Sequence, residues 1–381
     1  MFSHSRTYLD YAATTPLDKV VFSAMQPYVS EHFANPSSMH KSGVVARDAV
    51  VLARKRVAEV LGCNADEIIF TSGGTESNNL ALVGAAEVRG FKGHIITSAI
   101  EHPSVLEACA YLKERGVLVT EVGADSHGRV NPDDVKAAIK ADTFLVSIMY
   151  ANNEIGTIQP ISEIGSFVQK RGIVMHTDAV QCTGLLALSI NTLHADAMSL
   201  SGHKFYGPKG VGILYIKRGT ALAPQMHGGG QEAGFRSGTE NIPAIVGASV
   251  ALGLAEARRE KEAARLSKLR DWLIAEVLAR VPGVALTGHP KERLPNSASF
   301  CFPGVSGEYL VMRLSERGFD CSSGSACSTG SLAPSHVLLA CGIGEHEAKG
   351  SIRVTLGAST RQSGLERFTK ALFEEVSKLS T

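Results

Sequence analysis

Between Glu67 and Ile216 the chain alternates short apolar runs, rich in β-branched residues, with longer stretches of helical spacing. The candidate strands are Glu67–Phe70, Gly93–Ser98, Val117–Val122, Thr143–Tyr150, Ile173–His176, Ala197–Leu200 and Val211–Ile216. Several are almost continuously apolar, as strands are when helices cover both faces of a parallel sheet. Between them the spacing predicts helices over Val44–Leu61, Thr75–Arg89, Pro103–Arg115, Pro132–Lys140 and Glu163–Lys170. Asn131 with Pro132 makes a cap and first-turn pair, and Ser162 is a second cap candidate. Gly62, Gly90, Gly116 and Gly172 stand where helix ends take a left-handed residue. Alternation on this scale predicts an α/β fold on a mainly parallel sheet.

Past Gly253 the pattern changes. Ala255–Leu278 is rich in Ala, Arg, Lys, Glu and Leu and reads as one long helix with an exposed face. Short strands at Val284–Thr287 and Ser297–Phe302 follow, then a helix near Gly307–Arg317, a Ser/Gly-rich loop, a short helix near Pro334–Ala340, the strand Ile352–Leu356 and a last helix to Lys378. We expect a large domain over residues 16–255 and a smaller α+β domain made of 1–15 with 256–381. A length of 381 residues accommodates both without disulfide or metal staples.

Composition narrows the partners. Lys plus Arg number 38 against 37 for Asp plus Glu, so no basic excess marks a nucleic-acid or membrane-surface binder. The seven cysteines form no C-x-x-C pair, which argues against a disulfide framework or a zinc site and for a reducing, cytoplasmic setting. Ala244–Ala255, the longest mostly apolar run, is too short to span a bilayer.

Five stretches carry chemistry. Thr71-Ser-Gly-Gly-Thr-Glu-Ser77 follows a strand and opens a helix, so Gly74 and Thr75 stand where free N–H groups bind an anion; a plain tight turn reads the same way. Ser201-Gly-His-Lys-Phe-Tyr-Gly-Pro-Lys-Gly-Val-Gly212 joins two apolar strands and holds Lys204 at a strand end, where a partly desolvated lysine can form a Schiff base. Asp178, at the end of the preceding strand, is either a capping aspartate or the partner of a protonated pyridine nitrogen. His102, after Glu101, projects from another strand end, able to stack on a flat cofactor and shuttle a proton, or simply structural. Lastly, Cys321-Ser-Ser-Gly-Ser-Ala-Cys327 sets a thiol among Ser and Gly, unlike Cys63, Cys109 and Cys301, which read as buried hydrophobes. Phosphate loop, acid and lysine together suggest pyridoxal phosphate.

Ordered segments along nearly the whole chain match one family: Tyr8 to Pro16, Asn35 to Ser38, Gly73 to Glu76, Glu101-His102, Asn152 to Pro160, His176 to Gln181, Ser201 to Gly212, Gly228 to Glu232, Arg236 to Asn241, Ser322 to Cys327 and Ser351 to Arg353. The chain resembles the cysteine desulfurases of the group that includes the nitrogen-fixation and housekeeping iron–sulfur enzymes, within the class-V, fold-type I pyridoxal-phosphate proteins. The resemblance implies that Lys204 bonds the cofactor, His102 stacks on its ring, Asp178 pairs with the pyridine nitrogen and Gln181 reaches the ring oxygen. It further implies that Gly74, Thr75, Ser201 and His203 surround the phosphate, that Thr239 reaches the phosphate of the other subunit of a homodimer, that Asn153 lies beside the cofactor, and that Arg353 clamps the substrate carboxylate. In such an enzyme Cys327 takes sulfur from L-cysteine as a persulfide, alanine leaves, and a scaffold or other acceptor protein receives the sulfur. The resemblance leaves open whether Cys327 also holds an iron–sulfur cluster in passing; no resident metal is expected. Cys321 falls outside the family pattern and reads as inert. A selenocysteine lyase or a small aminotransferase of the same fold is the alternative, as is a catalytically idle sulfur-relay protein.

Overall fold

A computed structural model describes residues 6–323 and 334–379. All seven expected strands form, and they join one sheet in the order Ile68–Thr71, Gly212–Ile216, Ala197–Ser201, Val174–Asp178, Thr143–Ser147, His94–Ser98, Leu118–Val122. Gly212–Ile216 runs antiparallel to both of its neighbours, and every other pairing between the later strands is parallel. Most of these strands are buried throughout, which is why they read as unbroken apolar runs; Leu118–Val122, at the edge, is mostly exposed or half-buried. The strand from Thr143 ends at Ser147, short of the expected Tyr150, because the chain then leaves the pleat. Ile148 and Tyr150 still donate to the carbonyls of His176 and Asp178 at 3.2 and 2.8 Å, so this departure holds the end of the neighbouring strand.

Helices fill both faces. Lys41–Leu61 ends on Gly62 at φ 73°, and Gly90, Gly116 and Gly172 also take positive φ just past helix ends, as their positions predict. Ser162 is not a cap: the helix starts at Ile161 behind Pro160, and the Ser162 hydroxyl instead donates to the Thr192 carbonyl at 2.7 Å.

A second, smaller assembly pairs Ser351–Thr355, Ser297–Cys301 and Ala285–Leu286 in an antiparallel sheet, with Gln362–Leu379 packed over it. Thr7–Tyr8 lies parallel to Phe319–Asp320, bringing the N-terminal segment onto this unit. One helix, Ile242–Arg280, connects the two cores through 39 residues. Sequence spacing places its start near Ala255. Its first turns, with Ile245, Ala248 and Leu252, are buried in the larger core, whereas Leu266, Leu273 and Val277 belong to the smaller. No helix among the described residues is long and apolar enough to cross a membrane.

Candidate active site

The larger sheet delivers its strand ends to one edge, the usual position for ligands in parallel α/β sheets. A cavity of about 280 Å³ opens there. Residues from widely separated stretches line it, among them Gly74, Thr75, His102, Asn153, Asp178, Gln181, Ser201, His203, Lys204 and Arg353.

Lys204 ends a short turn that follows the strand Ala197–Ser201, and its Nζ donates to the carbonyls of Ala12 and Ala13 at 2.5 and 2.9 Å. Gln181 Nε2 donates to the same Ala12 carbonyl at 3.0 Å. The N-terminal segment thus forms one wall, pinned by Thr15 N–H to the His203 carbonyl at 2.9 Å.

Asp178, 6 % exposed, uses both carboxylate oxygens: Oδ1 accepts the Val180 N–H at 3.0 Å and Oδ2 accepts Asn78 Nδ2 at 2.7 Å. It caps its own turn, as one of its sequence readings expects, and it also lines the cavity. Asn78 Nδ2 also donates to Ser104 Oγ at 2.8 Å, and that hydroxyl meets His102 Nδ1 at 2.8 Å. His102 is the N-cap of Pro103–Glu114, its Nδ1 accepting the Ser104 N–H at 3.1 Å. An accepting Nδ1 leaves the proton on Nε2. Burial keeps the ring neutral by lowering its pKa, with Asp178 opposing and Lys204 adding to the effect.

The helix Gly74–Val88, which brings Gly74 and Thr75 to the cavity, begins behind Gly73 with no side-chain cap. A Cβ on Gly74 would lie 2.8 Å from Val180 Cγ2, and one on Gly212 would lie 2.5 Å from the Gly73 carbonyl group. Only hydrogen fits at either position. His203 Nδ1 meets Thr14 Oγ1 at 3.1 Å, and burial, with Lys204 and Lys209, lowers its pKa to about 4.

Arg353, 2 % exposed, sits in the smaller sheet and crosses to the cavity. Its Nη1 donates to the Asn153 carbonyl and its Nη2 to Asp10 Oδ1, both at 2.9 Å, while the buried Nε has no partner among the described residues.

Sequence reasoning therefore named most of the lining, with two exceptions. Thr239 is exposed on a loop and lines no part of this cavity, and Cys327 lies outside the described residues. Asn78, Ser104 and the Ala12 carbonyl were missed. Asn78 had a weak signal, one helical turn after Gly74; a backbone acceptor leaves no mark in sequence. Cys321 is buried, and burial, reinforced by Asp10 and Asp320, pushes its thiol up to about 12, in keeping with an inert role.

The cavity fits pyridoxal phosphate on chemical grounds: its lining brings together a helix start without a side-chain cap beside Thr75, Ser201 and His203, a hydrogen-bonded carboxylate and a primary amine. The model of the class-V aminotransferase family matches residues 7–368. A cysteine desulfurase IscS of Dictyoglomus turgidum is 49 % identical over 98 % of this chain and 95 % of its own length, and one of Methanosarcina thermophila is 48 % identical over 98 % and 92 %. Among solved structures, a NifS-like protein superposes with a TM-score of 0.92 at 39 % identity, covering 98 % of this chain and all of that one. The structure titled SspA in complex with cysteine gives 0.82 at 39 %, over 92 % of this chain and 98 % of its own. The chain accordingly belongs to the class-V aminotransferase family and, within it, to the pyridoxal-phosphate-dependent cysteine desulfurases.

Proposed function

We propose that the chain removes sulfur from L-cysteine, releasing L-alanine and leaving a persulfide on Cys327 for an iron–sulfur scaffold or another acceptor protein. The observation that carries this reading is the convergence of Lys204, Asp178, His102 and Arg353 on one cavity from strand ends and from the second sheet. When bound, pyridoxal phosphate supplies the electron sink that takes up charge after loss of the substrate Cα proton and weakens the C–S bond. Gly74, Thr75, Ser201 and His203 hold the phosphate. Asp178, oriented by Asn78 and Val180, pairs with the pyridine nitrogen, and Gln181 serves the ring oxygen. His102 lies against the ring as a neutral imidazole. Lys204 binds the cofactor and, once released, its amine takes the Cα proton. Arg353, braced by Asn153 and Asp10, receives the substrate carboxylate. Cys327 thiolate then forms a bond to the substrate sulfur as the C–S bond breaks. An aminotransferase reading needs no such thiol.

The enzyme works as a homodimer in this reading. Val20, Phe22, Val29, Phe33, Met39 and Val45 are exposed along one stretch of chain, Phe33 at 76 % and Met39 at 94 %, which supports an apolar partner there. Exposed Thr239, absent from its own cavity lining, suits service to the partner's phosphate. Six free thiols among the described residues support a reducing, cytoplasmic setting. We divide the chain at residue 255, which is supported by Leu252 lying in the larger core and Leu9 and Leu266 in the smaller.

Alanine and sulfide release from cysteine tests the assignment. Cys327→Ala should retain the visible absorbance of bound cofactor but lose turnover at least a hundredfold. Undiminished turnover would remove Cys327 from its role.

A further inference from the structure

The short helix His336–Ala340 is tied to the cavity wall at two points outside the catalytic set. Ser335, 4 % exposed, donates its hydroxyl to the Glu154 carboxylate and accepts the Leu338 N–H at 3.2 Å. Next to it, His336 Nε2 donates to the Glu101 carbonyl at 2.9 Å. Each acceptor adjoins a cavity residue. Glu101 precedes His102, and Glu154 follows Asn153, whose carbonyl receives Arg353 Nη1. Behind the polar contacts, Val337 and Leu338 pack with Ile100, Met149 and Ile155. On the other side of the Ser/Gly segment, Ser322 and Arg353 exchange backbone hydrogen bonds at 3.2 and 2.7 Å. Glu154 is only 6 % exposed, and a carboxyl is not buried there without reason. Among the described residues its side chain's hydrogen bond goes to the hydroxyl that roots this helix.

We infer that Glu154, Ser335 and His336 are positioning residues for sulfur transfer: their contacts root the helix His336–Ala340, which follows Cys327 in sequence, against the wall carrying His102 and Arg353. The inference rests on the desulfurase reading and deepens it. Transfer between two sulfur atoms requires near-contact, and a misplacement of about 1 Å costs on the order of a hundredfold in rate. Cofactor binding has no such dependence, since none of the three residues lines the cavity.

Single-turnover measurements on the holoenzyme separate the two effects. Persulfide on Cys327 is followed by quench and mass spectrometry, while absorbance reports cofactor retention and the response to added cysteine. Glu154→Ala, Ser335→Ala and His336→Phe should each slow persulfide formation by about 10- to 100-fold, with KM for cysteine and the cofactor spectrum held near wild type. Glu154→Gln and Ser335→Thr keep a hydrogen bond and should recover most of the rate. Persulfide formation at the wild-type rate in the Glu154→Ala/His336→Phe double variant overturns the inference. So does a parallel loss of cofactor, cysteine binding and persulfide, which marks a merely structural role. If the wild-type enzyme itself forms no persulfide, the desulfurase reading fails and takes this one with it.

Discussion

Glu101 carries its carboxyl at full burial, with Oε1 accepting Ser98 Oγ at 2.5 Å and the Met149 N–H at 2.9 Å, and Oε2 without a partner among the described residues. Burial pushes its pKa up to about 8, against an ordinary value of 4.5, with Ser98 and Met149 opposing. Between these two values the folded chain holds a proton that the unfolded chain releases, so this contribution to stability is full at acid pH and lost as pH rises through 8. Glu101→Gln, permanently uncharged, should escape that loss. Its urea midpoint should gain on wild type between pH 5 and pH 9, and parallel midpoints across that range would contradict the burial argument. His102 predicts a complementary profile: because burial lowers its pKa, the acid limb of kcat should lie below the ordinary imidazole range. At this scale the sequence pointed to reactive side chains at strand ends, and Lys204, Asp178 and His102 all line the same cavity. The sequence was silent on Ser104 and gave only a weak signal for Asn78, ordinary helix residues given a role only by what folds over them.

Strands and helices show the same division between strong local signals and tertiary ones. The central strands could be read because full burial makes them continuously apolar; the pair Thr7–Tyr8 and Phe319–Asp320, two residues each, is too short to carry a period. Ser162 looked like a cap because residue type alone suggested one, yet its hydroxyl had a better acceptor in Thr192 from another element. The contact between the Gly212–Ile216 strand and the Gly73 turn yields a prediction at this level. Gly212→Ala would set a methyl 2.5 Å from backbone atoms of Gly73. The strand or the Gly73 turn must then move, at a cost of about 3 kcal/mol, and, with that turn holding the phosphate as proposed, cofactor retention should fall with the melting temperature. A variant that melts and binds like wild type would show that the turn is looser than this geometry.

For the whole molecule, the exposed apolar stretch from Val20 to Val45 makes oligomeric state the measurable quantity. On the proposed homodimer, Val29→Asp with Phe33→Asp should shift sedimentation from dimer to monomer and, with Thr239 serving the partner's phosphate as proposed, weaken cofactor retention. A wild-type chain that sediments as a monomer would refute the shared-site arrangement. The division into two cores was partly legible from the change in composition past Gly253, but the continuity across it was not, because the apolar half and the charged half of Ile242–Arg280 look unrelated until both are seen packed. At about 1.5 Å per residue that helix extends roughly 58 Å. It acts as a common axle. With it unbroken from one lobe to the other, the lobe bearing Arg353 has no slack tether at this crossing, and heat should melt both lobes in a single step.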